Sequence, residues 1–258
     1  MKKDALAPKA AAAAPSINDL DALITTCAAC PRLVAWREEV AQTKRASFQC
    51  DDYWGRPVPG LGPADASILI VGLAPAAHGA NRTGRMFTGD RSGDFLFEAL
   101  HAVGLANQPT ATHVGDGLSL AGVRITSPVH CAPPANKPTA EERRNCSPFL
   151  ARELELLAPT LRTVVVLGGF GWQATLAALR EAGWRIPRPA PKFSHGTKVR
   201  ITHPDGRSLT LLGCYHVSQQ NTFTGRLTQN MLQSVLREAV SLGNEKDVAT
   251  GTGEKLDE

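Results

Sequence analysis

Four runs that are predicted to be strands, three of them largely apolar and one shorter and mixed, are separated by helical segments and constrain the fold of this 258-residue chain more than any other feature. The runs occupy 67–73, 123–129, 163–167 and 209–215. Strands that are apolar throughout are typical of parallel sheets, in which crossover helices cover both faces. Capping boxes at Ser16 and Thr139, followed by leucines at helical spacing, predict helices between the runs. The pattern therefore predicts one α/β domain built around a parallel sheet.

The termini differ in composition from this central part. Residues 1–15 have a basic start and an alanine stretch but lack the apolar core of a secretory signal. They are predicted to form a disordered tail, as are residues 243–258, which leaves 16–242 as a single domain. No apolar run approaches the roughly 18 residues of a membrane helix. A cytoplasmic protein is expected.

Two loops that are rich in glycine and polar residues follow the first and fourth predicted strands, at 72–90 and 216–228. The first contains several glycines and Phe87, and the second begins with His216. In parallel α/β sheets, ligands bind beyond the carboxyl ends of the strands, where such loops meet. We expect the functional site to lie between these two loops.

Six cysteines occur in the chain, and four of them form a recognisable set. Cys27 and Cys30 have the Cys-x-x-Cys spacing that chelates a metal from one turn, and Cys131 and Cys146 lie far downstream. Thiolates are soft ligands, so the spacing is compatible with zinc or an iron–sulfur cluster and does not distinguish them. A redox pair or unrelated buried thiols is the alternative.

A glycine run at 169–174 formally matches the dinucleotide-binding fingerprint. No carboxylate follows about twenty residues later at the end of a second strand, as that site requires. A tight turn between strand and helix is the preferred interpretation.

Taken together, the motifs resemble those of a known family. Gly-Leu-Ala-Pro-Ala-Ala-His-Gly at 72–79 is followed by Asn-Arg-Thr-Gly-Arg-Met-Phe-Thr-Gly-Asp at 81–90. Cys-Ala-Pro-Pro-Ala-Asn-Lys-Pro lies at 131–138, and His-Val-Ser-Gln-Gln-Asn lies at 216–221. In this order, the four motifs resemble the type 5 uracil-DNA glycosylases. The resemblance extends from about Cys27 to Leu236.

The resemblance implies a fold and a cofactor. The family has a three-layer α/β/α arrangement around a four-stranded, mainly parallel sheet. Its four cysteines bind a [4Fe–4S] cluster, and those of this chain match in order and approximate spacing. The resemblance thus favours the cluster over zinc, with Cys27, Cys30, Cys131 and Cys146 as its ligands.

The resemblance also implies roles in base excision. Phe87 matches the ring that stacks on a base flipped out of the helix, and His216 matches the donor to the departing base. Asn221 is expected to orient His216 or to contact a phosphate. Further contacts to the base are expected from Gly72, Ala74, Asn136 and Ser218.

The first loop lacks the polar residue that other branches of the superfamily use to hold the attacking water. Leu73 and Ala74 occupy that region, as in the type 5 family. This implies a reaction driven by stabilisation of the leaving group. Asn81 and Asp90 are the remaining candidates for holding a water.

The expected partner is double-stranded DNA, bound by a monomer. Six of the residues between Trp184 and Arg207 are basic and one, Asp205, is acidic, which suits contact with phosphates. The predicted activity is hydrolysis of uracil and other deaminated bases from duplex DNA, leaving an abasic site. A uracil-only, type 4-like glycosylase and a non-enzymatic metal-bearing DNA-binding module are the alternatives.

Overall fold

The computed structural model describes residues 4–244 and has a five-stranded sheet at its centre. The strands are β1 (Ile68–Val71), β2 (Val123–Thr126), β3 (Thr163–Leu167), β4 (Lys198–Thr202) and β5 (Ser208–Cys214). They lie in the order β2-β1-β3-β5-β4. All neighbouring pairs are parallel except β4 and β5. The predicted α/β class is confirmed.

Helices surround the sheet in chain order. They are α1 (Ala7–Ala10), α2 (Ile17–Thr26), α3 (Pro31–Thr43), α4 (Ala80–Thr83), α5 (Arg91–Ala102), α6 (Ala140–Leu157), α7 (Gly169–Glu181), α8 (Gln219–Phe223) and α9 (Gln229–Asn244). The Ser16 side chain caps α2, and the capping box of Thr139 and Glu142 begins α6, as predicted. The glycine run forms the first turns of α7, and only Gly168 separates it from β3. Among residues 4–244, no helix is long and apolar enough to cross a lipid bilayer.

Alternate residues of the apolar strands pack into two separate cores. Ile68 and Ile70 of β1 face the core formed with α5 and α9, whereas Leu69 and Val71 face the core formed with α6 and α7. Each strand side chain points to the face opposite that of its neighbour. The observed arrangement is therefore the three-layer α/β/α unit expected from the resemblance.

The sheet has one strand more than the four predicted. β4 pairs antiparallel with β5 along one edge, with Lys198 opposite Leu212 and Thr202 opposite Ser208. Its basic and polar residues are mostly exposed, and only Ile201 is fully buried. Charged residues on an edge strand are common because they discourage pairing with other chains. The same charges made the segment resemble a basic loop in the sequence.

The prediction of a disordered N-terminal tail is wrong for residues 4–15. Ala7 and Ala11 are fully buried and pack with α2 and with the cysteine-bearing elements. The guanidinium of Arg152 donates two hydrogen bonds to the Ala14 carbonyl, which fastens this segment to α6. Small alanine side chains permit this close packing. Because an alanine stretch shows no helical spacing of large apolar residues, the sequence did not predict that it packs on the domain. Of the predicted C-terminal tail, residues 243 and 244 belong to the helix Gln229–Asn244, and those from 245 onward lie outside the described residues.

Candidate functional site

A cavity of about 570 Å³ opens at the carboxyl ends of β1 and β5, between the two rich loops. Loop 72–90 contributes one wall, and the segment from His216 into α8 contributes another. Residues of the predicted site that line it are Ala74, Phe87, Asp90, Asn136, His216 and Ser218. The expected meeting of the two loops is confirmed.

Phe87 is held in the cavity wall by an unusual backbone. Its φ is 52°, which residues with a side chain rarely adopt. Its ring lies directly against Gly72, where an added Cβ would come within 2.9 Å of the ring. Gly72 therefore serves the site indirectly: it does not line the cavity, but it leaves room for the ring that does. The ring centroid lies 6.4 Å from that of His216.

Backbone strain is concentrated around this cavity. Among residues 4–244, four residues other than glycine have positive φ, and three of them line the cavity: Phe87, Ala135 and Asn136. Such conformations cost about 1–3 kcal/mol each and persist where the surrounding structure imposes them, often at functional sites. The segment around Asn136 is exposed at the rim, so this side chain can reach a bound molecule.

His216 follows β5 directly and faces the cavity. Burial lowers the pKa of His216 to about 4, because the charged imidazolium would lose hydration. The ring is therefore neutral near pH 7 and keeps one N–H donor. The Asn221 side chain donates a hydrogen bond of 2.8 Å from Nδ2 to the His216 carbonyl. Asn221 thus positions the His216 backbone and is not among the cavity-lining residues.

Asp90 combines a structural role with a place in the cavity. Its Oδ1 accepts a hydrogen bond of 3.0 Å from the Gly93 amide at the start of α5. Burial raises the pKa of Asp90 above its usual value. Its carboxylate also packs onto Gly79, where a Cβ would lie 1.9 Å from Oδ2. Among the described residues that line the cavity, Asp90 supplies the only carboxylate.

The structure does not support a catalytic role for Asn81. Its side chain is fully buried beneath loop 72–90 and does not line the cavity. Nδ2 lies 3.3 Å from the Arg37 carbonyl and 3.4 Å from the Ala77 carbonyl, which makes Asn81 a brace of the loop backbone. The sequence motif predicted a role in the site for Asn81 because it is rich in polar residues. Sequence does not show on which side of a loop a residue lies.

Several cavity residues were not predicted. Met86, Ser127, Ala135, Gln219 and Gln220 also contribute to the lining. The two glutamines lie inside the motif 216–221, so their place in the cavity could have been predicted from the sequence. Ser127 is fully buried just after β2, and nothing in its sequence surroundings distinguishes it from a structural serine.

The four predicted cysteine ligands line a second cavity. Cys27 ends α2, Cys30 precedes α3, Cys131 lies in the loop after β2, and Cys146 is part of α6. Cys131 and Cys146 are buried, and burial raises the pKa of the Cys131 thiol to about 12. The fold thus brings together residues that are more than one hundred positions apart.

A buried cation faces these thiols. Arg37 of α3 is 1% exposed, and its Nη1 donates to the Cys131 Sγ over 2.9 Å. Its Nη2 donates to the Cys27 carbonyl, and its Nε has no hydrogen-bond partner. A buried charge is costly unless an opposite charge lies near it. The positive charge of Arg37 lowers the pKa of Cys131, but burial outweighs it, so the net pKa of this thiol is raised.

Four cysteine thiols at one cavity are the donor set that a thiolate-bound metal group would need. Among residues 4–244, no three cysteine, histidine, aspartate or glutamate side chains form a group that could hold one metal ion. A zinc site needs its sulfur ligands about 2.3 Å from one centre. A [4Fe–4S] cluster is bound by four thiolates on separate irons, so its ligands surround a larger body. Four thiols around one cavity fit that requirement.

The basic run between Trp184 and Arg207 is only partly available for DNA. Lys198 pairs with Glu238 over 2.9 Å, Arg207 pairs with Asp205, and Arg200 donates to the Ser208 hydroxyl. These three residues lie along the sheet edge or in the adjoining turn. The remaining basic residues of the run, Arg185, Arg188 and Lys192, are exposed.

Comparison with known proteins agrees with this geometry. The sequence model of the uracil DNA glycosylase superfamily matches residues 59–240. The type-5 uracil-DNA glycosylase of Mycobacterium tuberculosis (strain CDC 1551 / Oshkosh) is 55% identical over 232 residues, covering 90% of this chain and 84% of that protein. That of Thermus thermophilus is 51% identical over 219 residues, covering 85% and 94%. The type-4 uracil-DNA glycosylase of Archaeoglobus fulgidus is 35% identical over 117 residues, covering 45% and 50%.

Proposed function

Since the chain belongs to the type 5 branch of the uracil DNA glycosylase superfamily, and is thus a hydrolase that removes uracil from DNA, we propose that it acts on duplexes and also releases other deaminated bases. The product would be an abasic site in an uncut strand. Among the described residues that line the cavity, none is a lysine that could attack the sugar. The observation that carries this proposal is a neutral His216 beside Phe87 in one cavity.

Phe87 and His216 are suited to different parts of the reaction. The flipped base can stack on the ring of Phe87, which offsets part of the cost of unstacking it from the duplex. As the bond to the sugar lengthens, negative charge collects on the base. A neutral imidazole can donate its N–H to a base oxygen and stabilise that charge. The fixed backbone of His216 keeps the donor aimed during the reaction.

The part of the cavity that would hold the attacking water is lined by apolar side chains. Leu73 and Ala74 line the cavity where a water-binding side chain is absent. Asp90 remains the one carboxylate able to hold a water, and its raised pKa reflects a buried site. Because the cleavage places positive charge on the sugar, a weakly activated water suffices once the base departs. The proposal therefore assigns Asp90 a lesser share of the rate than His216.

Breadth of substrate follows from the size and character of the cavity. Its volume of about 570 Å³ far exceeds that of a single pyrimidine, and the wall formed by residues 73–76, Ala80 and Met86 is apolar, although polar side chains line the rest. Hydrogen-bonding pockets reject analogues strongly, whereas apolar pockets discriminate weakly. Deaminated purines also carry a carbonyl oxygen, at C6, to which His216 could donate.

The test is single-turnover release of bases from oligonucleotides. We expect free uracil, hypoxanthine and xanthine to be released from duplexes that contain each base. Release must be absent from matched duplexes with the normal base. Release of uracil alone would support the narrower, type 4-like specificity. Release from single strands but not from duplexes would contradict the proposed substrate form.

We also propose that Cys27, Cys30, Cys131 and Cys146 bind a [4Fe–4S] cluster. The support is the common cavity of the four thiols and the buried guanidinium of Arg37, whose charge offsets that of an anionic cluster. When bound, the cluster supplies structural cross-linking of α2, α3 and α6. It lies apart from the residues that line the base cavity, so no catalytic step is assigned to it.

One consequence of the lowered pKa of His216 is a pH-dependent stability. Between about pH 4 and 6.5 the unfolded chain protonates this histidine and the folded protein does not. Stability is therefore lost as the pH falls through that window. At pH 5 the contribution should be about 1–2 kcal/mol, since the ring faces a wet cavity. Urea unfolding at pH 7.5 and pH 5 should show a smaller acid-dependent loss for His216→Gln than for the wild type.

We further propose that the protein acts as a monomer in the cytoplasm. The cysteines of residues 4–244 are free thiols, which suits a reducing compartment. Sedimentation of the protein with and without duplex DNA tests the monomeric state.

A further inference from the structure

Arg85 is a buried arginine two residues before Phe87, and it does not line the base cavity. Its Nη1 and Nη2 donate to the two carboxylate oxygens of Asp116 over 2.9 and 2.6 Å. Its Nε donates to the Thr88 hydroxyl over 2.9 Å. All three nitrogens of this guanidinium are thus bound inside the protein, which leaves the side chain unsuited to contact a DNA phosphate.

Arg85 and Thr88 are the two ends of a four-residue turn that has Phe87 in its third position. The Thr88 amide donates to the Arg85 carbonyl over 3.3 Å, and the φ of Phe87 is 52°. Glycine is preferred at a third position with positive φ, because a side chain strains the backbone there. The bond from the Arg85 Nε to the Thr88 hydroxyl closes the same turn a second time, through side chains.

Asp116 belongs to a different part of the chain, the loop between α5 and β2. Its Oδ2 also accepts from the Thr112 amide over 2.8 Å, and its Oδ1 accepts from the Leu118 amide over 3.0 Å. The hydrogen bonds from Arg85 and from these amides hold the pKa of Asp116 well below its usual range. A bidentate pair of a guanidinium and a carboxylate has a fixed geometry. Asp116 therefore anchors the Arg85 side chain in one position.

We propose that Arg85 and Asp116 are positioning residues for Phe87, which together impose the strained turn that presents its ring to the flipped base. The inference rests on the proposed stacking role of Phe87. Strained backbone persists only where its surroundings impose it, and an added Cβ at Gly93 would overlap the Phe87 carbonyl oxygen. That glycine only makes room for the turn, whereas the bonds of Arg85 hold it. The loop that contains Asp116 would thus serve a cavity that Asp116 itself does not line.

The test measures single-turnover release of uracil at saturating enzyme by Asp116→Asn and Arg85→Lys. The DNA is the form, duplex or single-stranded, on which the wild type is faster. Arg85→Lys keeps the positive charge but cannot bind Asp116 and Thr88 together in a fixed fork. Each variant should slow release by about 3- to 20-fold, less than the roughly 5- to 100-fold expected for Phe87→Ala. Affinity for undamaged DNA should stay within about twofold, because Arg85 contacts no phosphate.

Asp21→Asn is the matched control for the loss of a buried ion pair. Asp21 pairs with Arg124 over 2.7 Å, and neither residue lines the base cavity. Asp21→Asn should lower the urea midpoint about as much as Asp116→Asn, while its release rate stays within about twofold of wild type. Equal slowing in the two variants would show a general effect of stability and overturn the inference.

A double-mutant cycle tests whether the pair acts through the ring of Phe87. Added to Phe87→Ala, Asp116→Asn should slow release by less than about a further twofold, because the ring that it positions is already gone. Slowing that multiplies in full, or wild-type rates in both Asp116→Asn and Arg85→Lys, would overturn the inference and leave the glycosylase proposal intact. Thr88→Val removes only the hydroxyl that Arg85 binds, and it repeats the cycle if a charge variant fails to fold. Unchanged release in Phe87→Ala would instead overturn the stacking role in the proposed function, and the inference with it.

Discussion

Replacing His216 with alanine should slow single-turnover release of uracil by about 10²–10³-fold. A donor aimed at developing negative charge typically contributes about 2.7–4 kcal/mol to the transition state. His216 is the neutral imidazole at the end of β5, and Asn221 fixes its backbone at the cavity wall. Binding to abasic DNA should change far less, because phosphate contacts dominate that affinity. Rapid-quench kinetics and a binding titration measure the two quantities separately.

Asp90→Ala and Asn81→Ala serve as comparisons for His216→Ala. Each should cost less in rate than the loss of His216. Asn81→Ala should lower stability, because its buried amide braces loop 72–90. The leaving-group mechanism is wrong if Asp90→Ala abolishes cleavage while His216→Ala stays within threefold of wild type. Asp90 would then be a conventional general base.

Replacing Cys131 with serine should remove the cluster and destabilise the fold. Anaerobically purified wild type should be brown and contain about four irons per chain. Cys131→Ser should lose the visible absorption, because the buried thiolate that contacts Arg37 is gone. Free energy of metal binding is also free energy of folding, so the midpoint of thermal unfolding should fall by about 10 °C or more.

Cys50 provides the matched control for this experiment. It is exposed and does not line the thiol cavity. Cys50→Ser should therefore keep both the colour and the thermal midpoint of wild type. Stoichiometric zinc without iron, in protein made anaerobically with ample iron, would contradict the cluster assignment.

The base cavity and the thiol cavity have separate linings, and we expect them to serve different roles, catalysis and stability of the fold. The base cavity lies between loops that follow β1 and β5, and its working residues depend on strained turns at Phe87 and Asn136. The thiol cavity lies among α2, α3 and α6. Loss of the cluster should therefore reduce activity through instability of the fold and not through a change in the chemistry at His216.

Sequence alone determined the layers of this protein and the loops that meet. In the run Thr163–Leu167 every position after the threonine is apolar, and only a strand covered on both faces buries all of them. The parallel direction then brings the ends of β1 and β5 to one edge, with Phe87 and His216 beyond them. The motif order also predicted the four cysteines as a set, and they do share a cavity.

Tertiary structure alone decided features that depend on distant partners. β4 is a strand because β5 offers it an open edge, although its own residues read as a basic loop. Ala7 is buried because α2 and α6 leave a gap that small side chains fill. Asn81 faces the interior and Asp90 the cavity, although both lie in one polar loop. Local patterns record the average burial of a segment, whereas the side on which one residue lies is set by what packs against it.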